Sequence, residues 1–183
     1  MILEVLKLGN PLLRKVAEPF TAREILSTRT QGLVEDMLET MRAEIGVGLA
    51  APQVGVSKQL VVIEAKGEAK GGEEGELAIP TTVLFNPVFT WTSEEQVEGW
   101  EGCLSVDNLR GKVWRSAAVR LEALDRKGKP VKMETGGFLS VVLQHECDHL
   151  IGKLFLDRMR DLTTLTQLEE YREHWSGGRS VEA

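Results

Sequence analysis

The chain has 183 residues, of which 42% are hydrophobic and 27% are charged, and its formal net charge is −6 at pH 7. This length suits a single domain over residues 1–183, and the acidic balance argues against a surface that binds the phosphates of DNA. No apolar run is long enough to span a bilayer and residues 1–7 do not form a signal peptide, so we expect a cytoplasmic protein with reduced thiols.

The first half of the chain contains one predicted helix and one predicted strand. Apolar residues at helical spacing predict a single amphipathic helix over residues 23–45, which ends at Gly46. Residues 59–65 are rich in Val and Ile and predict a strand. Residues 66–76 contain mostly glycine and charged residues, which predicts a surface loop between two strands.

The second half is predicted to be mainly strands until a long helix begins at Gly137. Strands are predicted over residues 83–91, 95–104, 112–125 and 130–134. Residues 126–129 form the turn of a hairpin between the last two strands, and residues 163–175 predict a final amphipathic helix. Strands followed by a central helix, with short connections, predict an α+β fold with antiparallel sheets.

The most informative motif, QHECDH, lies within the central helix. His145 and His149 are four residues apart, so their imidazoles lie on one face and converge on a point where a divalent metal can bind. Glu146 lies about 100° further round the helix, beside the metal, where it can take a proton from bound water. The alternative is that two histidines merely pack four residues apart on a core helix.

Two histidines leave a catalytic metal one protein ligand short, and the third ligand could be a carboxylate, a histidine or a thiolate. Cys147 points about 200° away from His145 round the helix, which excludes it. His174 lies in a polar terminal segment and is expected at the surface. Cys103 is the better candidate, because the glycine before it lets other segments approach closely, although a cysteine alone is most often a core residue.

Residues 46–55 leave the first helix through two glycines and small side chains. Such a segment lets the backbone approach a ligand closely and offers N–H and C=O groups at low steric cost. An ordinary helix-to-strand turn is the alternative, since glycine turns are common.

Taken together, three motifs resemble those of the peptide deformylases: GVGLAAPQ at residues 46–53, EGCLS at residues 101–105 and QHECDH at residues 144–149. The resemblance covers nearly the whole chain. It implies a compact α+β fold in which antiparallel sheets surround a metal-binding helix, with a C-terminal helix. It also implies removal of the formyl group from the N-terminal formylmethionine of new polypeptides.

The resemblance assigns a role to each motif residue. It implies that Cys103, His145 and His149 bind the metal and that Glu146 is the general acid and base. Metal-bound hydroxide would attack the formyl carbon, while the formyl oxygen is held by the Gln53 amide and the Leu104 N–H. The residues expected to bind the peptide are Val47, Gly48, Glu101 and Gly102. Asp148 and Gln144 are candidates for orienting the ligands.

The resemblance also implies the metal and the partners. Iron(II) is the expected ion in the cell, and Zn, Ni or Co can replace it at a site with one thiolate and two imidazoles. The expected partners are N-formylmethionyl nascent peptides at the ribosome. Family members generally have a proline soon after EGCLS, whereas this chain has Val106, Asp107 and Asn108 there. This departure leaves the substrate preference beyond methionine open.

Two other classes of protein share part of this pattern. Zinc peptidases also contain HExxH, but they usually take a downstream Glu or His as third ligand. Here the downstream candidates are His174, Asp157, Glu169, Glu170 and Glu173. A non-catalytic relative with a structural metal would need neither Glu146 nor Gln53 and would have a fourth protein ligand.

Overall fold

The computed structural model describes residues 1–65, 78–176 and 180–182. The glycine-rich loop predicted over residues 66–76 therefore lies outside the described residues. Within the described part, no helix is long and apolar enough to cross a membrane.

Four α-helices and nine strands form the described fold. The helices are α1 (Ala22–Ile25), α2 (Thr28–Ala43), α3 (Gly137–Leu150) and α4 (Leu168–His174). The strands are β1 (Gly48–Ala50), β2 (Leu60–Ala65), β3 (Ile79–Thr92), β4 (Gln96–Cys103), β5 (Val106–Ser116), β6 (Ala118–Leu124), β7 (Pro130–Gly136), β8 (Thr166–Gln167) and β9 (Ser180–Glu182). Short 3-10 helices lie between several of them, including Ala51–Val54 after β1 and Phe155–Arg158 after α3.

The strands form two sheets. One sheet has the order β1-β2-β3-β6-β7 and is antiparallel throughout. The other has the order β8-β5-β4-β9, in which only the pairing of β9 with β4 is parallel. This arrangement confirms the predicted α+β fold with antiparallel sheets and a central helix.

Strand β2 shows how α3 becomes the central helix. Alternate residues of a strand face opposite sides of its sheet. Val61 and Ile63 pack with Val142, Leu143 and Leu150 of α3. The other side of β2 packs against α2, in a second cluster that includes Leu60, Val62, Val34, Met37 and Met41. The five-stranded sheet is therefore covered by a helix on each face, and α3 is buried between this sheet and the other one.

Three predicted elements differ from the structure. The helix predicted over residues 23–45 is two helices, because the Ser27 hydroxyl accepts the Thr30 N–H at 3.2 Å and starts a new helix. The strand predicted over residues 112–125 is also two strands, β5 and β6, which part at Ala117 and belong to different sheets. The last helix is shorter than predicted, since residues 163–167 form a 3-10 turn and the strand β8.

Gly152 joins the end of α3 to the N-terminal part of the chain. Its φ of +71° lies in the left-handed region, and a Cβ at this position would lie 2.5 Å from the carbonyl oxygen of Arg14. Two contacts hold the segments together here: the Ala17 N–H donates to the Leu150 carbonyl at 2.8 Å, and Val16 pairs with Ile151.

We predict that Gly152→Ala lowers the free energy of unfolding, by about 1–3 kcal/mol, because it combines backbone strain with a clash against main chain. Gly32→Ala is the matched control. Gly32 is exposed in α2, and a Cβ at this position would have no other atom within 4 Å, so alanine should stabilise the helix by about 1 kcal/mol. Urea unfolding of both variants measures the difference, and equal shifts would contradict the assignment.

Candidate metal centre

Helix α3 presents two histidines on one buried face. The ring centroids of His145 and His149 lie 5.1 Å apart, and each residue is only 1% exposed. The ring of Phe155, from the 3-10 helix that follows α3, stacks on His145 at 6.4 Å. The four-residue spacing thus brings the two imidazoles together as the motif predicts.

Cys103 reaches this face from the end of β4. Its Sγ lies 3.4 Å from Nε2 of His149, and the potential ligand atoms of Cys103, His145 and His149 all lie within 4.8 Å of one another. The pairing of β4 with β5 shifts register between Glu101 and Cys103. Glu101 and Cys103 are two residues apart in β4, so both side chains face α3.

One ring nitrogen of each histidine is left without a protein partner. The Nδ1–H of His145 donates to Oε2 of Glu101 at 2.8 Å, whereas its Nε2 is buried and has no hydrogen-bond partner among the described residues. Because an ionised carboxylate only accepts, the Nδ1 atom carries a proton, so in the neutral imidazole that binds metals the lone pair is on Nε2. A thiolate and two imidazoles in this arrangement fit a divalent transition metal with three protein ligands and an open position.

Glu146 lies beside this group and is fully buried. Neither carboxylate oxygen has a hydrogen-bond partner in the described structure, and burial raises the pKa of Glu146 to about 7. A carboxyl group with this pKa can both take up and release a proton near neutrality. The backbone of β1 lies against it, because a Cβ on Gly48 would be 2.3 Å from Oε1 of Glu146.

Gln53 lies on the 3-10 helix after β1, and its side chain points at Cys103. Its Oε1 accepts the N–H of Ala50 at 2.8 Å, which fixes the orientation of the amide. Its Nε2 is therefore the donor end, and it donates to Cys103 Sγ at 3.6 Å and to Ser105 Oγ at 3.2 Å. The structure therefore brings the N–H groups of Gln53 to the candidate metal centre.

The other predicted site residues border the same place. Leu104 follows Cys103 in the turn between β4 and β5, and its carbonyl accepts a hydrogen bond from Nζ of Lys7 at 2.8 Å. Val47 precedes β1 and is half-buried. Gly102 lies under the guanidinium of Arg110, since a Cβ on Gly102 would be 2.3 Å from Nη1. Backbone from β1 and from β4 thus flanks the site.

Glu101 belongs to a buried ion network that the sequence did not reveal. Its carboxylate accepts Nε and Nη2 of Arg115 at 2.8 and 3.0 Å, in addition to His145. Nη1 of Arg115 donates to Asp148 at 2.6 Å, and Asp148 also accepts two hydrogen bonds from Arg158. Burial opposes ionisation of Glu101, yet the hydrogen bonds from His145 and Arg115 lower its pKa to about 2.

The two residues considered for orienting the ligands contribute differently. Asp148 acts through Arg115 and Glu101, because its carboxylate bonds to Arg115 and Arg158 rather than to a histidine. Gln144 bonds to the backbone of Ser116, where it links α3 to the end of β5. Arg115 and Arg158 were missed. The one available signal for Arg115 was a charged residue at an inward position of a predicted strand.

Two residues set aside as ligands lie outside the three-residue group. Cys147 lines a different cavity, of about 440 Å³, together with Gln144 and Arg158, and burial raises the pKa of its thiol. His174 is exposed on α4 and lies 3.4 Å from Glu170.

We predict that Arg115→Met lowers the free energy of unfolding by about 3–5 kcal/mol, because Glu101 keeps only His145 as a partner and one negative charge of the buried network is left uncompensated. Arg120→Met is the control: Arg120 pairs with Glu134 at the surface, where the side chains are 53% and 64% exposed, so the loss should be below about 1 kcal/mol. Urea denaturation compares the two, and similar losses would show that the buried network contributes no more than a surface pair.

The chain is similar to known proteins over most of its length. Residues 2–164 match the family model described as polypeptide deformylase. The chain is 45% identical to peptide deformylase 2 of Pseudomonas putida over 161 residues, which cover 88% of this chain and 89% of that protein. It is 41% identical to the peptide deformylase of Leptospira biflexa over 172 residues, or 93% of this chain and 92% of that protein.

Solved structures give the same likeness. A class I type b peptide deformylase from Acinetobacter baumannii with bound Met-Ala-Ser superposes with a TM-score of 0.81 at 35% identity, covering 87% of this chain and 99% of that chain. The peptide deformylase from Thermus thermophilus superposes with a TM-score of 0.75 at 40% identity, covering 87% of this chain and 86% of that chain.

Proposed function

Because the chain belongs to the polypeptide deformylase family, we propose that Cys103, His145 and His149 hold one divalent metal ion beside Glu146 as general acid and base. The chain is an enzyme, a peptide deformylase, which hydrolyses the formyl group from N-formylmethionine peptides. The observation that carries the site assignment is the buried, unpartnered Nε2 of His145 within 4.8 Å of the ligand atoms of Cys103 and His149.

The metal fits this donor set, and the family is metal-dependent. When bound, a divalent ion supplies Lewis acidity, which polarises the formyl oxygen and makes water acidic enough to react near neutrality. One soft sulfur and two imidazoles suit a late first-row metal, and we take iron(II) as the ion in the cell, with Zn, Ni or Co as replacements. Glu101 keeps the Nε2 lone pair of His145 available by holding the proton on Nδ1.

Glu146 moves the proton that hydrolysis requires. Its carboxylate takes a proton from the attacking water and passes it to the nitrogen of the methionine residue, which leaves as an amine. The pKa of about 7 suits both steps of this transfer, because the Glu146 carboxyl group readily gains and loses a proton near neutral pH. Gly48 lets the substrate backbone and the carboxylate share a narrow space, since no side chain stands between them.

Gln53 and Leu104 stabilise the charge that develops on the formyl oxygen. The Gln53 amide is anchored through Ala50, which keeps its Nε2 beside Cys103, where the formyl oxygen would be held. The N–H of Leu104 is the second donor and directly follows Cys103. A preorganised donor of this kind contributes about 3 kcal/mol to the transition state.

The peptide binds along main chain near Val47, Gly48, Glu101 and Gly102. The related Acinetobacter baumannii enzyme is solved with Met-Ala-Ser bound, which supports binding of a short peptide by this chain. The changed segment begins β5: Asp107 pairs with Lys7 at 2.8 Å, and Asn108 has a φ of +56°. Kinetics on peptides that differ only after methionine measure the effect of this segment on substrate preference.

We also propose where in the cell the enzyme acts. Nascent formylated peptides emerge at the ribosome, so the enzyme works there, in the cytoplasm, as a single catalytic domain over residues 1–183.

The peptidase alternative finds no support in the set of possible metal ligands. Asp157 bonds to Arg14 and to the Leu154 N–H, and the described residues bring no carboxylate from downstream of His149 into the three-residue group.

We predict that protein purified without air releases formate from formyl-Met-Ala-Ser and leaves internal peptide bonds intact. The reason is that one carboxylate and one metal suffice for a small formamide. Formate production and peptide mass are measured in parallel, with unformylated Met-Ala-Ser as control. Formate release no faster than in the metal-free protein, together with cleavage of the unformylated peptide, would favour a peptidase instead.

We predict that Glu146→Gln retains the metal and loses about 10²–10⁴-fold in kcat, because the change removes the proton acceptor but keeps the shape. His149→Ala is the contrasting variant and should lose both metal and activity. Metal content and kinetics are measured on the same samples. Near-normal kcat in Glu146→Gln would falsify the acid–base role while leaving the metal assignment standing.

A further inference from the structure

Strand β4 leads directly to the metal centre and has two edges. One edge pairs with β5 over residues 96–103. The other edge pairs in parallel with β9, with Trp100 opposite Ser180, Glu101 opposite Val181 and Gly102 opposite Glu182. The next residue of β4 is the candidate ligand Cys103. The backbone of the C-terminal segment therefore pairs with the free edge of β4 at the residues that directly precede Cys103.

Helix α3 lies on the other side of the same segment. Cα atoms of β9 come within 8 Å of Cα atoms of α3, which carries the two histidines and Glu146. Helix α4 directs the chain to this place, because Tyr171 packs edge-on against Trp100 at 5.1 Å and Trp175 lies 5.8 Å from the same ring. The C-terminal segment is thus the edge strand of this sheet and lies near the catalytic helix.

A strand edge offers one row of N–H and C=O groups, so it can pair with only one chain at a time. The proposed function places the substrate peptide along Glu101 and Gly102, which are the residues that β9 covers. Peptide and β9 therefore compete for the same main-chain groups.

The direction of β9 prevents it from acting as a substrate. Strand β4 runs toward Cys103. A productive peptide has its formylated first residue at the metal centre and recedes from it, so it runs antiparallel to β4. Strand β9 is parallel and advances toward Cys103 as its numbering rises. It covers the edge without presenting an amino terminus to the metal.

We propose that the C-terminal strand β9 is an autoinhibitory segment, which a formylated peptide must displace from the β4 edge before it can be hydrolysed. This inference rests on the proposed function. Because the segment follows α4 in the same chain, its local concentration at the edge is high, on the order of millimolar. A peptide that pairs with β4 must therefore displace β9, whereas formylmethionine, which has no chain to pair with β4, need not.

The test compares two double variants of the full, metal-loaded chain. V181P/E182P removes both backbone N–H groups and prevents regular pairing. V181A/E182A removes the same side chains but keeps both N–H groups. If β9 covers the edge about four-fifths of the time, its release lowers KM about fivefold, because only the uncovered fraction binds peptide.

We expect V181P/E182P to have a KM for formyl-Met-Ala-Ser about fivefold below that of V181A/E182A, with kcat unchanged. Formylmethionine has no peptide chain to pair with β4, so its kinetics should be the same in both variants. Equal KM values for the tripeptide in the two variants would overturn the proposal, as would an equal fall in both relative to the unsubstituted chain. Absence of formate release from all three proteins would overturn the proposed function instead.

Discussion

The carboxylate of Glu101 connects the metal centre to the rest of the protein. It accepts one hydrogen bond from Nδ1 of His145 and two from Arg115. Arg115 also donates to Asp148, which lies about one turn after His145 in α3. Two carboxylates and the guanidinium groups of Arg115 and Arg158 thus neutralise one another inside the protein. Burying such charges is unfavourable unless every partner is present, so the network tolerates only one arrangement of β4, β5 and α3.

The glycines of the motifs follow from the close packing around this network. Gly48 brings β1 against Glu146, and a side chain there would occupy the position of the carboxylate. Gly102 has the guanidinium of Arg110 above it, again at a distance that excludes a Cβ. Neither glycine has a positive φ, so the requirement at these two positions is space rather than backbone conformation.

Local patterns predicted the parts of the structure that depend on local spacing. The pair His145 and His149 follows from helical periodicity, and the α3 boundary at Gly137 was confirmed. The role of Arg115 was not predicted, because the role of an inward-facing charged residue in a strand can be recognised only when its partners on other elements are known. The break at Ala117 was missed for a related reason: strands β5 and β6 both alternate, and only tertiary packing assigns them to different sheets.

Two buried carboxylates of α3, only two residues apart, differ in their hydrogen bonds. Asp148 has three hydrogen bonds from two arginines, whereas the oxygens of Glu146 have none among the described residues. The arginines hold the Asp148 carboxylate in place, whereas Glu146 has a pKa of about 7 because burial disfavours its charge. Because both carboxylates belong to one rigid helix, the arginines that fix Asp148 also fix the rotation of α3. They therefore hold Glu146 beside the proposed metal ligands without contacting it.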